Sequence, residues 1–271
     1  MPEHMLLRFV HITDTHISAD PHYNMPGASH TPMVGAQALV NKLKHLPFQP
    51  DFVLHTGDVA YEPDDSAYAA AKDILGQIPY PVHYLPGNHD SVTGLQRHLL
   101  GIADPREAYD TEFEVNGVQV ITVDSNRPAE PPRGRVSDAQ LAWLEARCKA
   151  DDPRPLIVAV HHNVLKVGIP WWDDHMSLEN GEEFHAALLP ARNRLRGVFF
   201  GHVHQDTETY RDGILYSSAL SSWYQIHASP GQIDTEPDRY AGPGFSVVTV
   251  TATTTFIRRH RFTVDAGSLE E

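Results

Sequence analysis

Tyr80-Pro81-Val82-His83-Tyr84-Leu85-Pro86-Gly87-Asn88-His89-Asp90 is the stretch on which the reading of this chain turns. Residues 80–85 form an apolar run too short for a helix and bounded by prolines, which reads as a buried strand. Gly87 opens a turn, and an asparagine, a histidine and an aspartate leave it together at the strand's carboxyl end. In open α/β sheets ligands collect at that end. The Asn88 amide oxygen can bind a metal ion, and His89 can give or take a proton near neutral pH. Asp90 is placed to hydrogen-bond His89 and fix its tautomer. Taken alone, the tetrapeptide fits a strand-to-helix turn with an N-cap equally well. Similar clusters at four other strand ends shift the balance.

On the N-terminal side, a strand over 6–13 ends in Asp14-Thr15-His16, and residues two apart in extended chain aim at one spot. A loop rich in turn formers spans 20–35, with His22 and Tyr23 as candidates to cover the site, before a helix over 33–46. A second apolar strand, 51–56, ends in Gly57-Asp58, where the glycine permits a sharp turn that leaves the carboxylate at the tip. A helix over 64–75 leads back to the quoted stretch. Strand, ligand-rich loop and helix thus repeat three times, the signature of α/β architecture with a largely parallel first half.

On the C-terminal side the pattern changes. Asn116-Gly117 and Asp212-Gly213, each between strand-like runs, predict two hairpins. Ser137 followed three residues later by Gln140 predicts a capping box, opening a helix that buries Leu141, Trp143 and Leu144. A strand over 156–160 delivers His161-His162, and one over 195–200 delivers Gly201-His202-Val203-His204, with a helix near 181–189 between them. Residues 245–250 and 253–262 read as closing strands. No internal repeat and no linker composition divides the chain. It reads as one domain, with its core over 6–262 and a loose polar tail over 263–271.

Composition narrows the classes. The 21 basic and 35 acidic residues give −14, which argues against a nucleic-acid groove or an anionic membrane surface. An anionic substrate stays open, because bound divalent cations reverse the potential inside a site. One cysteine, Cys148, excludes an internal disulfide framework. Residues 1–10 lack a signal-peptide core, and no run approaches the roughly 18 apolar residues of a membrane span. A cytoplasmic protein is the expectation.

Five strand ends now offer Asp14 and His16, Asp58, Asn88, His161, and His202 with His204, leaving His89 over. One metal ion takes about four protein ligands, so this set suggests two ions sharing a carboxylate. The mixed nitrogen and oxygen donors favour manganese, iron, cobalt or zinc over calcium or magnesium. Two ions about 3.5–4 Å apart can clamp a phosphoryl group. The ordered set Asp-x-His, Gly-Asp, Gly-Asn-His-Asp, His and Gly-His-x-His resembles that of the calcineurin-like metallophosphoesterases. The stretch 80–90, Val123-Asp124-Ser125, the helix over 137–145 with Trp143, and Glu179-Asn180-Gly181 resemble class III cyclic-nucleotide phosphodiesterases and bacterial glycerophosphodiesterases.

The resemblance implies a four-layer αββα sandwich of two mixed sheets, with the site at the strand ends. It implies that Asp14, His16, Asp58 and His204 hold one divalent ion, and that Asp58 bridges to a second held by Asn88, His161 and His202. His161 rather than His162 is the ligand by alignment with the family; the adjacent ring is the alternative. A proline often follows the paired histidines in that family, whereas Asn163 follows here. The implied chemistry is hydrolysis of a small-molecule phosphodiester by a metal-activated hydroxide. His89 would aid the leaving group and Asp90 would orient it. A phosphomonoesterase or protein phosphatase with the same core is the alternative, and a non-catalytic scaffold a remote one, since every ligand and His89 are present. Relatives commonly self-associate, so the resemblance also admits a homo-oligomer. Trp171, Trp172, Trp223 and Tyr224 are read as packing loops together rather than stacking on substrate. Arg127, Arg133 and Arg135 are read as a solvated loop rather than a second phosphate site.

Overall fold

The computed structural model describes residues 4–127 and 130–264. The chain runs β1 (Met5–Ile12), α1 (Pro32–Lys44), β2 (Phe52–His55), α2 (Asp65–Leu75), β3 (Val82–Tyr84), α3 (Val92–His98), β4 (Thr111–Val115) and β5 (Val118–Val123). It continues through α4 (Asp138–Lys149), β6 (Leu156–Val160), α5 (Pro170–His175), α6 (Gly181–Leu188), β7 (Leu195–Phe200), β8 (Glu208–Arg211) and β9 (Ile214–Ser218). Two short strands, β10 (Gln225–Ile226) and β11 (Pro237–Asp238), precede β12 (Gly244–Thr251) and β13 (Thr255–Arg261).

One sheet has the order β13-β12-β1-β2-β3, and the other β4-β5-β6-β7-β9-β8. Strands β1, β2 and β3 are parallel, as are β5, β6, β7 and β9; the outer strands close antiparallel. Side-chain alternation explains why the central strands read as unbroken apolar runs. From β1, Leu7 and Phe9 face the opposite sheet while Val10 and Ile12 face α1 and α2. From β6, Ile157 and Ala159 face the first sheet while Leu156, Val158 and Val160 face α4 and α6. Both faces of both sheets are therefore buried, which yields the helix–sheet–sheet–helix layering. Phe9 locks the sheets together, stacked on Phe52 at 5.1 Å and edge-on to Phe199 at 5.1 Å. Burying each such side chain contributes about 1.5–3 kcal/mol.

Helix starts follow local chemistry. Asp64 accepts from the Ala67 amide at 2.9 Å, and Ser137 with Gln140 forms the expected capping box of α4. In α4 Leu144 is fully buried, whereas Leu141 and Trp143 are only partly so; Cys148 is buried on the same face. Both predicted hairpins form, with Asn116 and Asp212 at positive φ. The short α3 supplies the helix of the third repeat, whose bounds the sequence did not set, and α5 lies where no helix was expected. Val264, in the predicted tail, packs against the first sheet's outer core; residues 265–271 lie outside the described residues. Among the described residues no helix is long and apolar enough to cross a membrane.

Candidate metal centre

The carboxyl ends of β1, β2, β3, β6 and β7 converge, and the turns that leave them bring all seven candidate ligands together. The backbone achieves this in an unexpected way. Asp14, His16, Asp58, His202 and His204 all sit at left-handed φ, between 45° and 69°. Asp14 and His16 therefore meet through two left-handed kinks and not as neighbours on one face of an extended strand. Such conformations are costly for side chains with a Cβ and persist only where tertiary contacts hold them. The contacts are present: the Asp14 and His16 amides donate to the carbonyls of Gly57 and Asp58, and Ser221 Oγ donates to the Asp14 carbonyl. Gly57 itself has φ 102°, and a Cβ there would press on His161 and Gly87. At Gly87 a Cβ would overlap Asp58. Both glycines are dictated by the closeness of the two turns.

The donors fall into two groups around Asp58. On one side, His204 Nε2 lies 3.3 Å and His16 Nε2 3.8 Å from Asp14 Oδ1; His16 Nε2 is 3.6 Å from Asp58 Oδ2 and 2.9 Å from His204 Nε2. On the other, His161 Nε2 lies 3.3 Å from Asp58 Oδ2 and 3.1 Å from Asn88 Oδ1, with the His202 ring 4.9 Å from that of His161. Main-chain carbonyls set the tautomers. Nδ1–H of His161 donates to Thr56 at 2.7 Å and that of His204 to Tyr224 at 2.9 Å, which leaves both Nε2 lone pairs facing the cluster. The neighbouring His162 differs, because Ser125 Oγ engages its Nδ1 at 2.7 Å and the Pro132 carbonyl its Nε2 at 3.1 Å. This favours His161 over His162 as a donor. The His202 Nε2 atom is buried with no hydrogen-bond partner among the described residues. A fully buried set of imidazole nitrogens and carboxylate oxygens, with His202 Nε2 and His16 Nδ1 unpartnered among the described residues, fits divalent cations.

Electrostatics agree with that chemistry. Burial alone would raise Asp58, but His161, His89 and His16 beside it hold its carboxyl well below the usual range. Asp14 is likewise held down against burial, chiefly by His204. Burial would lower His161, yet the Asp58 carboxylate beside it pushes it up to about 9, a field that equally favours a cation at Nε2. Burial keeps His16 and His202 well below their ordinary value and hence neutral.

Expectation and structure part at Asp90. Its carboxylate does not engage the His89 ring. It accepts from the amides of Gly87 (2.9 Å), Val59 (3.1 Å) and Ala60 (3.1 Å), and from the Tyr68 hydroxyl (3.2 Å). Burial and the Asp58 charge push it up to about 6. Asp90 thus ties the Asp58 turn to the Gly87 turn. His89 is oriented instead by the Tyr61 carbonyl, 3.0 Å from Nδ1, while its own amide donates to Asp58 Oδ1 at 2.8 Å. Nothing in the sequence around Tyr61 pointed to that role, because a carbonyl carries no residue-type signal.

A cavity of about 860 Å³ opens beside this point, with Asn88 and His89 on its wall together with Tyr61, Pro63 and Asn126. The two aromatic pairs separate. Trp171 and Trp172 are buried in the outer core of the second sheet. Trp223 lies 5.7 Å from the His16 ring, with Tyr23 packed 5.8 Å away, and Tyr224 supplies the carbonyl for His204. His22 is exposed. Arg127 and Arg135 pair with Glu179, and Arg133 donates to the Asp174 carbonyl.

Comparison with known proteins identifies the class. Residues 7–206 match the calcineurin-like phosphoesterase family model, and the chain belongs to that family. It is 29% identical over 223 residues to a 3',5'-cyclic adenosine monophosphate phosphodiesterase of Vibrio vulnificus, covering 81% of this chain and 78% of that one. It is 28% identical over 232 residues to a probable glycerophosphodiester phosphodiesterase of Arcobacter nitrofigilis, covering 80% and 79%. In fold it matches a dimetal phosphatase from Danio rerio with a TM-score of 0.65 at 13% identity, over 94% of this chain and 99% of the other.

Proposed function

We propose that this phosphoesterase hydrolyses phosphodiesters of small molecules, such as cyclic nucleotides or glycerophosphodiesters, at a centre that holds two divalent ions. The observation that carries the reading is the seven-donor cluster divided around Asp58, with His89 between it and the cavity. Asp14, His16, Asp58 and His204 would hold one ion. Asn88, His161 and His202, with Asp58 shared, would hold the other. Manganese, iron, zinc or cobalt suits this mixed donor set. When bound, the ions supply Lewis acidity toward the phosphoryl oxygens and make hydroxide accessible at neutral pH.

The chain's own residues do the rest. The Tyr61 carbonyl takes Nδ1–H of His89, so Nε2 is the atom free to serve the leaving oxygen. As the oxygen of water bonds to phosphorus, the ester P–O bond breaks, the imidazolium form of His89 passes its Nε2 proton to the departing alkoxide, and the proton lost by the water restores that imidazolium. Asp90 keeps the two turns in register, so that Asn88, His89 and Asp58 hold their spacing. The names of the two relatives, a cyclic AMP phosphodiesterase and a probable glycerophosphodiester phosphodiesterase, support a diester with a small organic arm. The cavity volume suits either. The sequence features that read as cytoplasmic agree with such a substrate.

The test is hydrolysis of bis(p-nitrophenyl) phosphate beside p-nitrophenyl phosphate, with manganese and then with chelator. We expect chelator-sensitive turnover that favours the diester, and then cleavage of cyclic AMP or a glycerophosphodiester. A preference for the monoester would overturn the phosphodiesterase reading in favour of a phosphatase. Silence on both with metal bound would favour a scaffold.

A further inference from the structure

The cavity beside His89 has an uneven charge. Among its described lining residues are two carboxylates, Asp90 and Glu107, and no lysine or arginine. Asp90 is buried and its oxygens are taken up by three amides and a tyrosine hydroxyl. Glu107 is exposed and makes no ion pair among the described residues. The arginines on the flanking loops are turned to other work. Arg106 donates to the Asp110 carbonyl at 3.0 Å and lies over the Tyr109 ring. Arg127, Arg133 and Arg135 are engaged at Glu130, Glu179 and the Asp174 carbonyl. The same wall includes Tyr61, Pro63 and Val92.

We propose that this cavity receives one organic arm of the diester and that Glu107 filters that arm by charge. It admits uncharged or cationic arms and rejects arms that bear a second anion. The inference rests on the phosphodiesterase reading above and deepens it. The phosphodiester anion is met at the metal centre, where cations compensate it. An additional carboxylate or phosphate further along the arm would meet Glu107 with no lysine or arginine on the described wall, and like charges brought together repel. A donor-rich or ammonium-bearing arm would be attracted there.

The experiment compares three methyl phosphodiesters that differ only in the second arm, ethyl, 2-aminoethyl or 2-carboxyethyl, and follows release of that arm's alcohol, so the varied arm is the leaving group served by His89. Each is assayed for kcat/KM with the metal-loaded wild type, Glu107→Gln and Glu107→Lys. The readout is the ratio between substrates within each protein, so a general change in activity cancels. We expect the wild type to disfavour the carboxyethyl ester by about tenfold or more relative to the aminoethyl ester. Glu107→Gln should narrow that ratio, and Glu107→Lys should abolish or invert it, with the effect fading at high salt. If the wild type cleaves all three esters and the ratios are the same in both variants, the filter is wrong and the phosphodiesterase reading stands. If the metal-loaded wild type cleaves none of them, the phosphodiesterase reading fails and takes the filter with it.

Discussion

Seven non-glycine residues among those described adopt left-handed backbone, and they form two contrasting groups. Asn116 and Asp212 lie in exposed hairpin turns, each followed by a glycine. Asp14, His16, Asp58, His202 and His204 are buried where the two sheets' strand ends meet. In the hairpins the local sequence wants that conformation, because Asn-Gly and Asp-Gly match the twist of the flanking strands. At the centre histidine and aspartate adopt it against their own preference, held by amide and hydroxyl bonds from other parts of the chain. The difference teaches that the fold concentrates strain where ligands must converge and leaves its turns relaxed.

The sharpest way to break this comparison is to exchange matched aspartates. Asp58 has φ 54° and Asp212 φ 51°, so asparagine suits the backbone equally at both. Asp58→Asn should lower diester turnover by about 10²–10³-fold, the usual cost of losing one preorganised electrostatic group. Asp212→Asn should leave kcat/KM within about twofold. Equal rates for the two variants would remove Asp58 from the account.

His89→Ala tests the residue that stands between the centre and the cavity. Turnover of alkyl diesters should fall by about 10²–10⁴-fold, and that of p-nitrophenyl esters less, because their leaving groups need little protonation. Metal content should stay at the wild-type level by elemental analysis. Wild-type rates on alkyl esters would refute the role of His89.

The strain itself can be weighed by urea unfolding of Gly57→Ala and Gly117→Ala. Gly57 is left-handed, and a Cβ there meets His161 and Gly87; Gly117 is left-handed with open space around it. The first should cost about 2–4 kcal/mol and the second about 1 kcal/mol. Equal costs would mean that close approach of the two turns does not constrain the site.

A smaller effect concerns Asp124, which is buried and pushed up to about 7 despite amides donated by Tyr109 and Asn126. A carboxyl raised in the folded state favours folding while protonated. Its contribution is full below the unfolded value near 4 and is lost as pH rises toward 7. Asp124→Asn should therefore gain about 2 kcal/mol relative to the wild type between pH 5 and pH 8. A pH-independent difference in unfolding free energy would show that Asp124 ionises as an ordinary carboxylate.

Much of the fold was legible because its signals are local. The apolar runs that become β1, β2, β6 and β7, the two hairpin dipeptides and the Ser137–Gln140 cap each state their structure within a few residues. Helices α3 and α5, of 7 and 6 residues, carry too few apolar positions to show a period. At the site, residue types and order suggested which side chains would gather, but not how. The kinked path of Asp14-Thr15-His16 depends on hydrogen bonds to residues more than forty positions away. The partner of His89 is a carbonyl, which any residue at position 61 would supply. The anchoring of Asp90 draws on Tyr68 of α2, more than twenty positions away in sequence. Long-range polar contacts of this kind leave no periodicity to read.

The measurement that bears most directly on the centre is metal stoichiometry. Purified protein would be stripped with chelator, dialysed against manganese or zinc at fixed free concentration, and analysed for metal per chain alongside diester turnover. The two donor groups around Asp58 predict about two ions per chain, with turnover rising as the second ion binds. Full turnover at one ion per chain, or with none, would contradict the shared-carboxylate centre.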